Sequence, residues 1–538
     1  MWQHKVRQEA AQFSAEEINA GITEAIAITN EKLMMAIVRE GLLSYISMSE
    51  KWKFHLTEQH AFFYDPDTRR IETDDTIDAL QLVHLLACHQ TEEMNWQTLI
   101  PEIENQLINQ ALSLIFCRDA PATEHPFLKG EQLCLTGHNL HPCAKIRMEM
   151  PFDEVRKYAP EYNEAFQLNW LMVDRNLLFF DLDDRDYRKL IAFSELKENI
   201  PPGWIIVPVH PYQFHHVLPD IYREEIKNRQ IRLLSHKGGW VKSTSSFRTV
   251  CPLDSRYPVI KLPVDIQITS TKRSISRTTA LNARKVTDYI RDIYLDDTEL
   301  NQISRPVYEL GGVTMRTAEV PKQRNLSFLL RENISDCIEG DELYCANCLF
   351  EQIAGRVPIA KQLIQSNSRS PIDWFETYVD LLTTVTLKMM SRYDMGLEAH
   401  LQNISLAFNN GFPVNIYYRD WGGLRIDEVR ARQLALEEGL TSATREEMYE
   451  KVQNTLISNH LSELVKFFVT LGYSEERLWQ IVRKCIDDFY RRHPAAEDYE
   501  HLTAAVIYEK ALLSMRLMPD RGDIYLEKGN PLNVYAYR

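Results

Sequence analysis

The sequence predicts an α+β protein with a helix-rich N-terminal part, a mixed α/β middle and a helix-rich C-terminal part that contains a β-hairpin. Three observations predict this class. Helical spacing of apolar residues dominates up to about residue 130. Short β-branched runs separated by Pro, Gly and Asp then continue from Gly137 to about Met315. Helical spacing returns after residue 319 and is interrupted by one strong turn signal at 409–411, Asn-Asn-Gly.

Composition and charge narrow the class of protein. The chain has 538 residues, of which 44% are hydrophobic and 25% charged, so it can bury a large core. With 61 Lys and Arg against 76 Asp and Glu, the net charge is −15, which argues against nucleic acid or an anionic membrane as a partner.

No apolar run reaches the roughly 18 residues of a membrane span and the start lacks a signal-peptide pattern, so we expect a cytoplasmic location. The nine cysteines lack framework spacing, and we expect the lone Cys345–Cys348 CxxC pair to be buried or loop thiols.

Individual elements follow from local pattern. Pro371 directly after Ser370 indicates a capped helix start, and this helix should end before Gly396. The other predicted elements are helices at 14–43, within 77–116, at 276–294 and within 444–518, and strands at 52–56, 204–209, 243–249 and 259–269.

The predicted hairpin carries a set of oxygen ligands. Residues 396–406 alternate, so Glu398, His400 and Gln402 would share one face of a strand. If the loop is the three residues 409–411, Asp420 lies opposite His400 on that face. Carboxylate and amide oxygens around one small volume suit a Mg²⁺ ion that holds phosphates. Alternation alone also fits an ordinary polar face exposed to solvent.

Clusters of cationic and imidazole side chains occur in the middle part. The segment 137–147 holds His138, His141, Lys145 and Arg147, donors that could concentrate on a multiply charged anion or simply line a surface loop. A His-Pro at His210 could equally be a turn feature.

Two predicted neighbouring strands offer a second anion site. Arg248 stands between Ser246 and Thr249, and the Pro-containing connection that follows should bring it near Lys261. Hydroxyls, a guanidinium and an ammonium on adjoining strands suit phosphate oxygens, although they also fit a solvated sheet face. Arg331 adds a further candidate cation.

The candidate residues fall in a series of short motifs: GHxxHPxxKxR from Gly137, HPxQ from His210, SSxRT from Ser245, KLP from Lys261 with ITSxxR from Ile268, LREN from Leu330, GxExHxQN from Gly396 and RDxGG from Arg419. In this order and at these spacings, they resemble the motifs of the IucA/IucC family, the NRPS-independent siderophore (NIS) synthetases. Asn139 departs from the family pattern, which usually has Pro there, and Glu149 stands where Gly is usual.

The resemblance implies an architecture of thumb, fingers and palm. We expect the helical thumb at 1–130, the α+β fingers at 131–318 and the palm with the hairpin at 319–538. ATP and a polycarboxylate would bind between fingers and palm, and the protein would be a homodimer.

Residue roles are implied by motif match. Ser246, Arg248, Thr249, Lys261 and Arg331 would hold the nucleotide, together with Lys145, Arg147 and Asn403. Thr269, with the catalytic candidates His138, Arg273 and His400, would contact the carboxylic acid. Glu398, Gln402 and Asp420 would bind Mg²⁺.

The implied activity is an ATP-dependent siderophore synthetase. It would adenylate a carboxylate of citrate, or of a citryl derivative, and pass the acyl group to an amine or hydroxyl of a polyamine, amino acid or amino alcohol. His400 is the candidate base for that second step. Because the carboxylate and the phosphate repel each other, catalysis should rest on fixed cations and alignment. A ligase that forms an acyl phosphate and a non-catalytic protein that binds nucleotide or citrate stay open, as does an α-ketoglutarate or succinyl substrate.

Overall fold

The computed structural model describes residues 1–48, 51–56, 61–73, 75–89, 94–120, 123–439, 441–442 and 444–536. The fold is α+β, as predicted, and its buried apolar side chains form three large clusters, in the N-terminal, middle and C-terminal parts. Within these described ranges we find no helix with the combination of length and apolarity that crossing a bilayer requires.

The N-terminal part is built around one long helix, which confirms the helix predicted at 14–43. It begins at a capping box in which Ser14 and Glu17 bond each other's backbone, and it ends at Gly41, whose φ of 65° suits glycine. The helices of this part are α1 (Trp2–Glu9), α2 (Ala15–Glu40), α3 (Ala79–Cys88), α4 (Ile100–Cys117) and α5 (Leu128–Gln132). Residues 90–93 of the helical region predicted at 77–116 lie outside the described residues.

A five-stranded antiparallel meander follows α2, and only its second strand was predicted. The predicted strand at 52–56 is confirmed as β2, whereas the four flanking strands were not predicted. The strands, in sheet order, are β1 (Tyr45–Ser47), β2 (Trp52–His55), β3 (Ala61–Asp65), β4 (Arg70–Glu72) and β5 (Thr76–Ile77).

An eight-stranded sheet organises the middle part, in the order β7-β15-β16-β11-β10-β9-β6-β8. It extends to Arg331 at the end of β16, whereas β14 pairs with β20 of the C-terminal part. Its strands and those beside it are β6 (Phe166–Asp174), β7 (Leu178–Leu182), β8 (Trp204–Val209), β9 (Ile231–Ser243), β10 (Thr249–Pro252), β11 (Val259–Lys261), β12 (Val264–Ile268), β13 (Thr271–Arg273), β14 (Ser304–Pro306), β15 (Glu309–Met315) and β16 (Ser327–Arg331). The helices are α6 (Phe152–Tyr158), α7 (Asp184–Ser194), α8 (Pro211–His216), α9 (Leu218–Ile221), α10 (Arg223–Lys227), α11 (Arg277–Asp296), α12 (Thr298–Ile303) and α13 (Val320–Asn325).

The two strands predicted at 243–249 and 259–269 need correction. Residues 244–248 form the turn between β9 and β10, where Phe247 takes a φ of 67°. Pro263 lacks a backbone N–H, and the predicted second strand divides there into β11 and β12, which belong to different sheets. The expected proximity is confirmed, since Thr249 pairs with Lys261 and the N–H of Leu262 donates to the carbonyl of Arg248 at 3.0 Å.

The C-terminal part is largely helical, and the helix predicted after Ser370 is confirmed as α16, which ends before Gly396. Cys345 and Cys348 are buried free thiols, as expected. The helices are α14 (Ala346–Leu349), α15 (Ile359–Ser366), α16 (Pro371–Tyr393), α17 (Glu428–Gln433), α18 (Arg445–Val452), a π-helix (Gln453–Leu461), α19 (Ser462–Thr470), α20 (Glu475–Arg492), α21 (Ala496–Leu502), α22 (Leu512–Leu517) and α23 (Pro531–Val534). The strands are β17 (Glu342–Cys345), β18 (Met395–Gly396), β19 (Ile404–Asn409), β20 (Phe412–Tyr418), β21 (Arg425–Asp427), β22 (Thr441–Ser442), β23 (Val506–Lys510) and β24 (Tyr525–Gly529).

The predicted hairpin exists as β19 and β20, but its predicted register is wrong. The loop has two residues, Asn410 and Gly411, with φ of 48° and 74°, so Asn409 pairs with Phe412. Positive φ at both positions is what a tight two-residue turn requires. The ladder ends at Ile404 opposite Tyr418, and Asp420 therefore does not pair with His400.

The strand predicted across Glu398, His400 and Gln402 is also wrong, because residues 397–403 have no strand partner. Side chains of the π-helix satisfy their backbone instead. Thr455 Oγ1 accepts the N–H of Ala399 at 3.1 Å, and Asn459 Oδ1 accepts that of Leu401 at 3.3 Å. The carbonyl of Ala399 lies 3.0 Å from Nδ1 of His460. A π-helix at a functional site is a recurrent arrangement.

Helix α22 packs into the N-terminal core although it lies near the other end of the sequence. Leu513 and Leu517 belong to the N-terminal hydrophobic cluster. The buried carboxylate of Glu40, at the end of α2, accepts the first N–H groups of α22 from Leu513 and Ser514, at 2.8 and 2.6 Å. A carboxylate at a helix N-terminus satisfies donors that lack an intrahelical partner.

Candidate active site

The middle and C-terminal parts meet at a cavity of about 910 Å³, which we call the cationic cavity. Five cationic side chains and two carboxylates line it, in a chain whose net charge is −15. The predicted local positive site in an acidic protein therefore exists. The charged and polar lining residues are Thr244, Ser246, Arg248, Lys261, Arg273, Ser274, Thr279, Arg331, Glu398, His400, Gln402, Asn403, Arg419 and Asp420.

Asp420 is a carboxylate that lies among the cations of this cavity. Lys261 Nζ lies 2.7 Å from Oδ1 of Asp420, and an Arg331 nitrogen lies 3.8 Å from Oδ2. Burial opposes ionisation of Asp420, but the surrounding cations, Lys261 first, hold its pKa well below its usual range. Arg331 is itself anchored by Glu309 at 2.9 Å. Asp420 is thus a carboxylate surrounded by more positive charge than it neutralises.

Two further guanidinium groups extend the positive wall. Arg248 donates to the carbonyl of Ser274. Burial, and next the proximity of Arg248, lower the pKa of Arg273 to about 9, so Arg273 remains charged at neutral pH. The buried Nε atoms of Arg273 and Arg331 have no hydrogen-bond partner among the described residues. Orphaned donors of this kind on one wall fit an anionic ligand.

The acidic end of the cavity is formed by Glu398 beside Gly423. Lys451 Nζ lies 3.0 Å from Glu398 Oε1, and His400 Nε2 lies 3.9 Å from Oε2. A Cβ at Gly423 would stand 1.9 Å from Oε2 of Glu398, so glycine makes room for the carboxylate. In the described part of the chain, no group of three or more His, Cys, Asp or Glu is arranged to hold a metal ion by itself.

A second cavity of about 620 Å³ adjoins the first, and we call it the central cavity. It shares four lining residues with the cationic cavity, namely Ser246, Arg273, His400 and Gln402. Its other polar lining residues are His138, Asn139, Lys145, Arg147, Glu161, Ser245, Thr269, Asn347 and Asn459.

His138 and His400 face the central cavity as neutral imidazoles. Nδ1 of His138 accepts the N–H of Leu140, and Nδ1 of His400 accepts that of Gln402, both at 3.2 Å. The proton of each neutral ring therefore lies on Nε2. Burial lowers the pKa of both groups, in His400 against the raising effect of Glu398. Each imidazole can thus donate a hydrogen bond from Nε2 at neutral pH.

The other two motif histidines are structural. Nδ1 of His141 accepts the N–H of Cys143, its Nε2 lies 2.8 Å from Ser270 Oγ, and it lines neither cavity. Nδ1 of His210 accepts the N–H of Tyr212 and so caps α8. Burial lowers the pKa of each to about 3. Of these two motif histidines, His138 lines the central cavity and His141 does not.

Lys145 and Arg147 line the central cavity rather than the cationic one. Lys145 is buried and pairs with Glu161, a carboxylate that the sequence analysis missed. Arg147 is buried and lies over the ring of Phe247, 5.0 Å from its centroid. Oε2 of Glu161 has no hydrogen-bond partner among the described residues. At this corner of the cavity, two buried cations, Lys145 and Arg147, lie near one buried carboxylate, Glu161.

The structure brings nearly all residues that were given a role by motif match to these two cavities; among them only Thr249, a buried residue of β10, lines neither. Thr269 lies in the central cavity and accepts a hydrogen bond from Arg273 at 2.9 Å. Sequence reasoning missed Glu161 and Lys451 because each lies outside the recognised motifs and meets the site only through tertiary packing.

Two family models match the chain. The IucA / IucC family model matches residues 126–351, and the model of the ferric iron reductase FhuF-like transporter family matches residues 372–524. The D-ornithine–citrate ligase of Staphylococcus aureus is 24% identical over 554 residues, which cover 89% of this chain and 84% of the relative.

Over residues 126–351 the chain resembles the IucA/IucC family.

Solved structures share the fold of this chain. The petrobactin biosynthesis protein AsbB from Bacillus anthracis superposes with a TM-score of 0.83 at 18% identity, covering 99% of this chain and 98% of its own. The ATP-bound aerobactin synthetase IucA from Klebsiella pneumoniae gives a TM-score of 0.81 at 18% identity, covering 95% of this chain and all of its own. The likeness extends over all three parts of the molecule.

Proposed function

We propose that this chain is a member of the IucA/IucC family and an ATP-dependent siderophore synthetase. It adenylates a carboxylate of citrate, or of a citryl derivative, and condenses the acyl group with an amine or hydroxyl nucleophile. A citrate ligase among its relatives and an ATP-bound structure of the same fold support this function.

The observation that carries the proposal is the junction of the two cavities. A wall of fixed cations meets a smaller cavity lined by neutral imidazole donors, and Arg273 and His400 belong to both. A nucleotide triphosphate in the first cavity and a carboxylic acid in the second would meet at those two side chains. Fixed positive charge at that junction offsets the repulsion between a carboxylate and a phosphate.

The cationic cavity holds the nucleotide in this proposal. Arg248, Lys261 and Arg331 bind the phosphate oxygens, while Ser246 and Asn403 donate from its rim. Lys145 and Arg147, which the sequence analysis assigned to the nucleotide, instead contact the acid, because they line the central cavity.

The central cavity holds the acid. His138 and His400 donate from Nε2 to its oxygens, and Thr269 orients Arg273, whose charge stabilises the carboxylate that reacts. Because Nδ1 of His400 already accepts a backbone N–H, the geometry favours a donor over a base at this position.

Mg²⁺ fits the acidic end of the cavity. Glu398 and Asp420 would supply carboxylate oxygens and Gln402 an amide oxygen, and the remaining ligands would be water and phosphate. When bound, the ion would neutralise phosphate charge and favour departure of pyrophosphate. Lys261 and Lys451 now pair with those two carboxylates, so both are held in place as anions.

The proposed reaction has two steps. A carboxylate oxygen attacks the α-phosphorus of ATP, and the bond from that phosphorus to pyrophosphate breaks. The nucleophile's nitrogen or oxygen then attacks the acyl carbon, the bond to AMP breaks, and the nucleophile releases one proton to water. The chain's part is to hold charges and align reactants.

Product analysis with purified protein, ATP, Mg²⁺, and a panel of acids and amines tests the function. We expect citrate-dependent formation of AMP and pyrophosphate together with a mass-shifted amide. ADP and phosphate as products would replace adenylation with an acyl-phosphate mechanism. Tight binding of ATP and citrate without turnover across the panel would show a non-catalytic binding protein and overturn the proposal.

A further inference from the structure

A third cavity of about 1800 Å³ adjoins the central cavity, and we call it the mixed-charge cavity. It shares Gly137, Asn139, Asn347 and Leu401 with the central cavity and no lining residue with the cationic cavity. It lies between α2 and the β3–β4 turn of the N-terminal part and α19 and residues 350–358 of the C-terminal part.

We propose that the mixed-charge cavity binds the nucleophile, and that this nucleophile is a zwitterionic diamine of the amino-acid type, with a carboxylate beside its amines. The inference rests on the proposed function and names the substrate class for its second step. The three cavities then hold nucleotide, acyl group and nucleophile in a row.

The wall between the central and mixed-charge cavities consists of small and amide groups. Asn459 Nδ2 donates to Asn139 Oδ1 at 3.0 Å, and Asn139 Nδ2 lies 3.4 Å from an oxygen of Glu463. The segment that carries His138 is held from the mixed-charge side, where Lys32 Nζ donates to the carbonyl of His138 at 2.9 Å. An amine bound at this wall would therefore lie next to the acid that is bound in the central cavity.

The charge of the lining selects a class of nucleophile. A polyamine, which carries only positive charge, calls for an excess of carboxylates, whereas a zwitterion calls for both signs. The mixed-charge cavity has five cations and four carboxylates: Lys32, Arg69, Arg356, Lys361 and Lys466 against Glu31, Asp67, Glu351 and Glu463. This balance favours a nucleophile with its own carboxylate.

Most of these charges are already engaged. Glu31 lies 3.1 Å from Lys466 and 3.6 Å from Arg69, and Glu351 accepts backbone N–H groups of 135–136.

Two half-buried groups can still bind a ligand, although Glu463 already accepts a hydrogen bond from Asn139 and raises the pKa of Lys466. No described residue forms an ion pair or a side-chain hydrogen bond with Arg356, and none forms an ion pair with Glu463. Arg356 is therefore assigned to the carboxylate of the nucleophile, and Glu463, beside Asn139, to its ammonium.

Matched amine pairs test the substrate class. With citrate and ATP, 2,3-diaminopropanoate is compared with ethylenediamine, and ornithine with putrescine, since each pair differs by one carboxylate. We expect kcat/KM to be at least about 10-fold higher for the amino acid of at least one pair. Equal or better use of the plain diamines in both pairs, or a preference for spermidine, would overturn the inference.

The Arg356→Ala variant tests the location. We expect the KM for the preferred amino acid to rise about 10-fold, Arg356→Lys to recover part of the loss, and the advantage over the matched diamine to shrink. Citrate-dependent exchange of pyrophosphate into ATP should change far less, because it reports the first step alone. Arg223→Ala, at an exposed ion pair with Asp220, is the control.

The two proposals fail in different ways. Absence of exchange with any acid in the unmodified protein contradicts the proposed function. Normal exchange and condensation, with an unchanged KM for the amine in Arg356→Ala, contradicts only the assignment of the mixed-charge cavity.

Discussion

Among single side chains, Arg248 is the clearest test of the cationic cavity. It lines that cavity, is held by the carbonyl of Ser274, and forms no ion pair among the described residues. We expect Arg248→Ala to lower citrate-dependent pyrophosphate exchange about 100-fold or more, because a fixed charge near the reacting phosphate is lost. Exchange assays measure this directly. Arg256→Ala, at an exposed pair with Asp254, is the matched control, and full activity of Arg248→Ala would refute the site.

Variants of His400 distinguish two possible roles of its imidazole, as a hydrogen-bond donor to the acid or as a base for the amine. If Nε2 donates to the acid, His400→Ala should lower pyrophosphate exchange about 10- to 100-fold, since the donor acts in the first step. His400→Gln, which keeps an N–H donor, should recover part of that loss. If the imidazole serves only as the base for the amine, exchange would be unchanged and amide formation alone would fall.

At the scale of elements, the π-helix supports the residues that carry the chemistry. His460 bonds the carbonyl of Ala399 and accepts from the hydroxyl of Tyr378 at 2.8 Å, so it holds the segment between Glu398 and His400. We expect His460→Phe to lower the free energy of unfolding by about 1–3 kcal/mol, through the unpaired carbonyl, and to lower exchange at least tenfold.

Tyr378→Phe is the control for this prediction. It removes the bond to the far side of the imidazole but keeps the contact with Ala399, so we expect a loss of about 1 kcal/mol with exchange nearly unchanged. Urea unfolding and exchange assays on both variants make the comparison. Equal losses of exchange would mean that the π-helix does not position the segment.

Local pattern predicted the elements whose signals are local. The capped helices at Ser14 and Ser370 begin where expected, and Asn410-Gly411 marks the real turn. The hairpin register failed because loop length decides it, and a difference of one residue cannot be read from composition. The strand at 397–403 failed because the π-helix, more than 50 residues further along the chain, supplies its partners.

For the site, the recognised motifs located the cations and carboxylates but not the division between cavities. Lys145 and Arg147 share a motif with His138, and only tertiary packing shows that all three face the central cavity. The domain limits at 130 and 318 and the homodimer stay predictions.

For the whole molecule, buried neutral histidines predict how stability depends on pH. Burial lowers the pKa of His141, His210 and His460 to about 3. Below the unfolded pKa of about 6.5, the unfolded chain binds protons that the folded chain does not, so the free energy of unfolding falls as pH falls from 6.5 towards 3. Each histidine contributes up to about 1.4 kcal/mol per pH unit.

Urea unfolding between pH 5 and 8 measures this slope. His210→Asn keeps an acceptor for the N–H of Tyr212 but cannot be protonated, so we expect a slope smaller by about 1.4 kcal/mol per pH unit at most. An unchanged slope would show that His210 does not contribute to the acid sensitivity.

The attachment of α22 to the N-terminal core has a consequence for biosynthesis. Leu513 and Leu517 complete a core whose other members come almost entirely from the first 150 residues. The buried carboxylate of Glu40 accepts the N–H groups of α22 only once that helix has been synthesised. During translation, those early helices emerge several hundred residues before their last partners. These helices are therefore synthesised well before α22 and complete their packing only after it has formed.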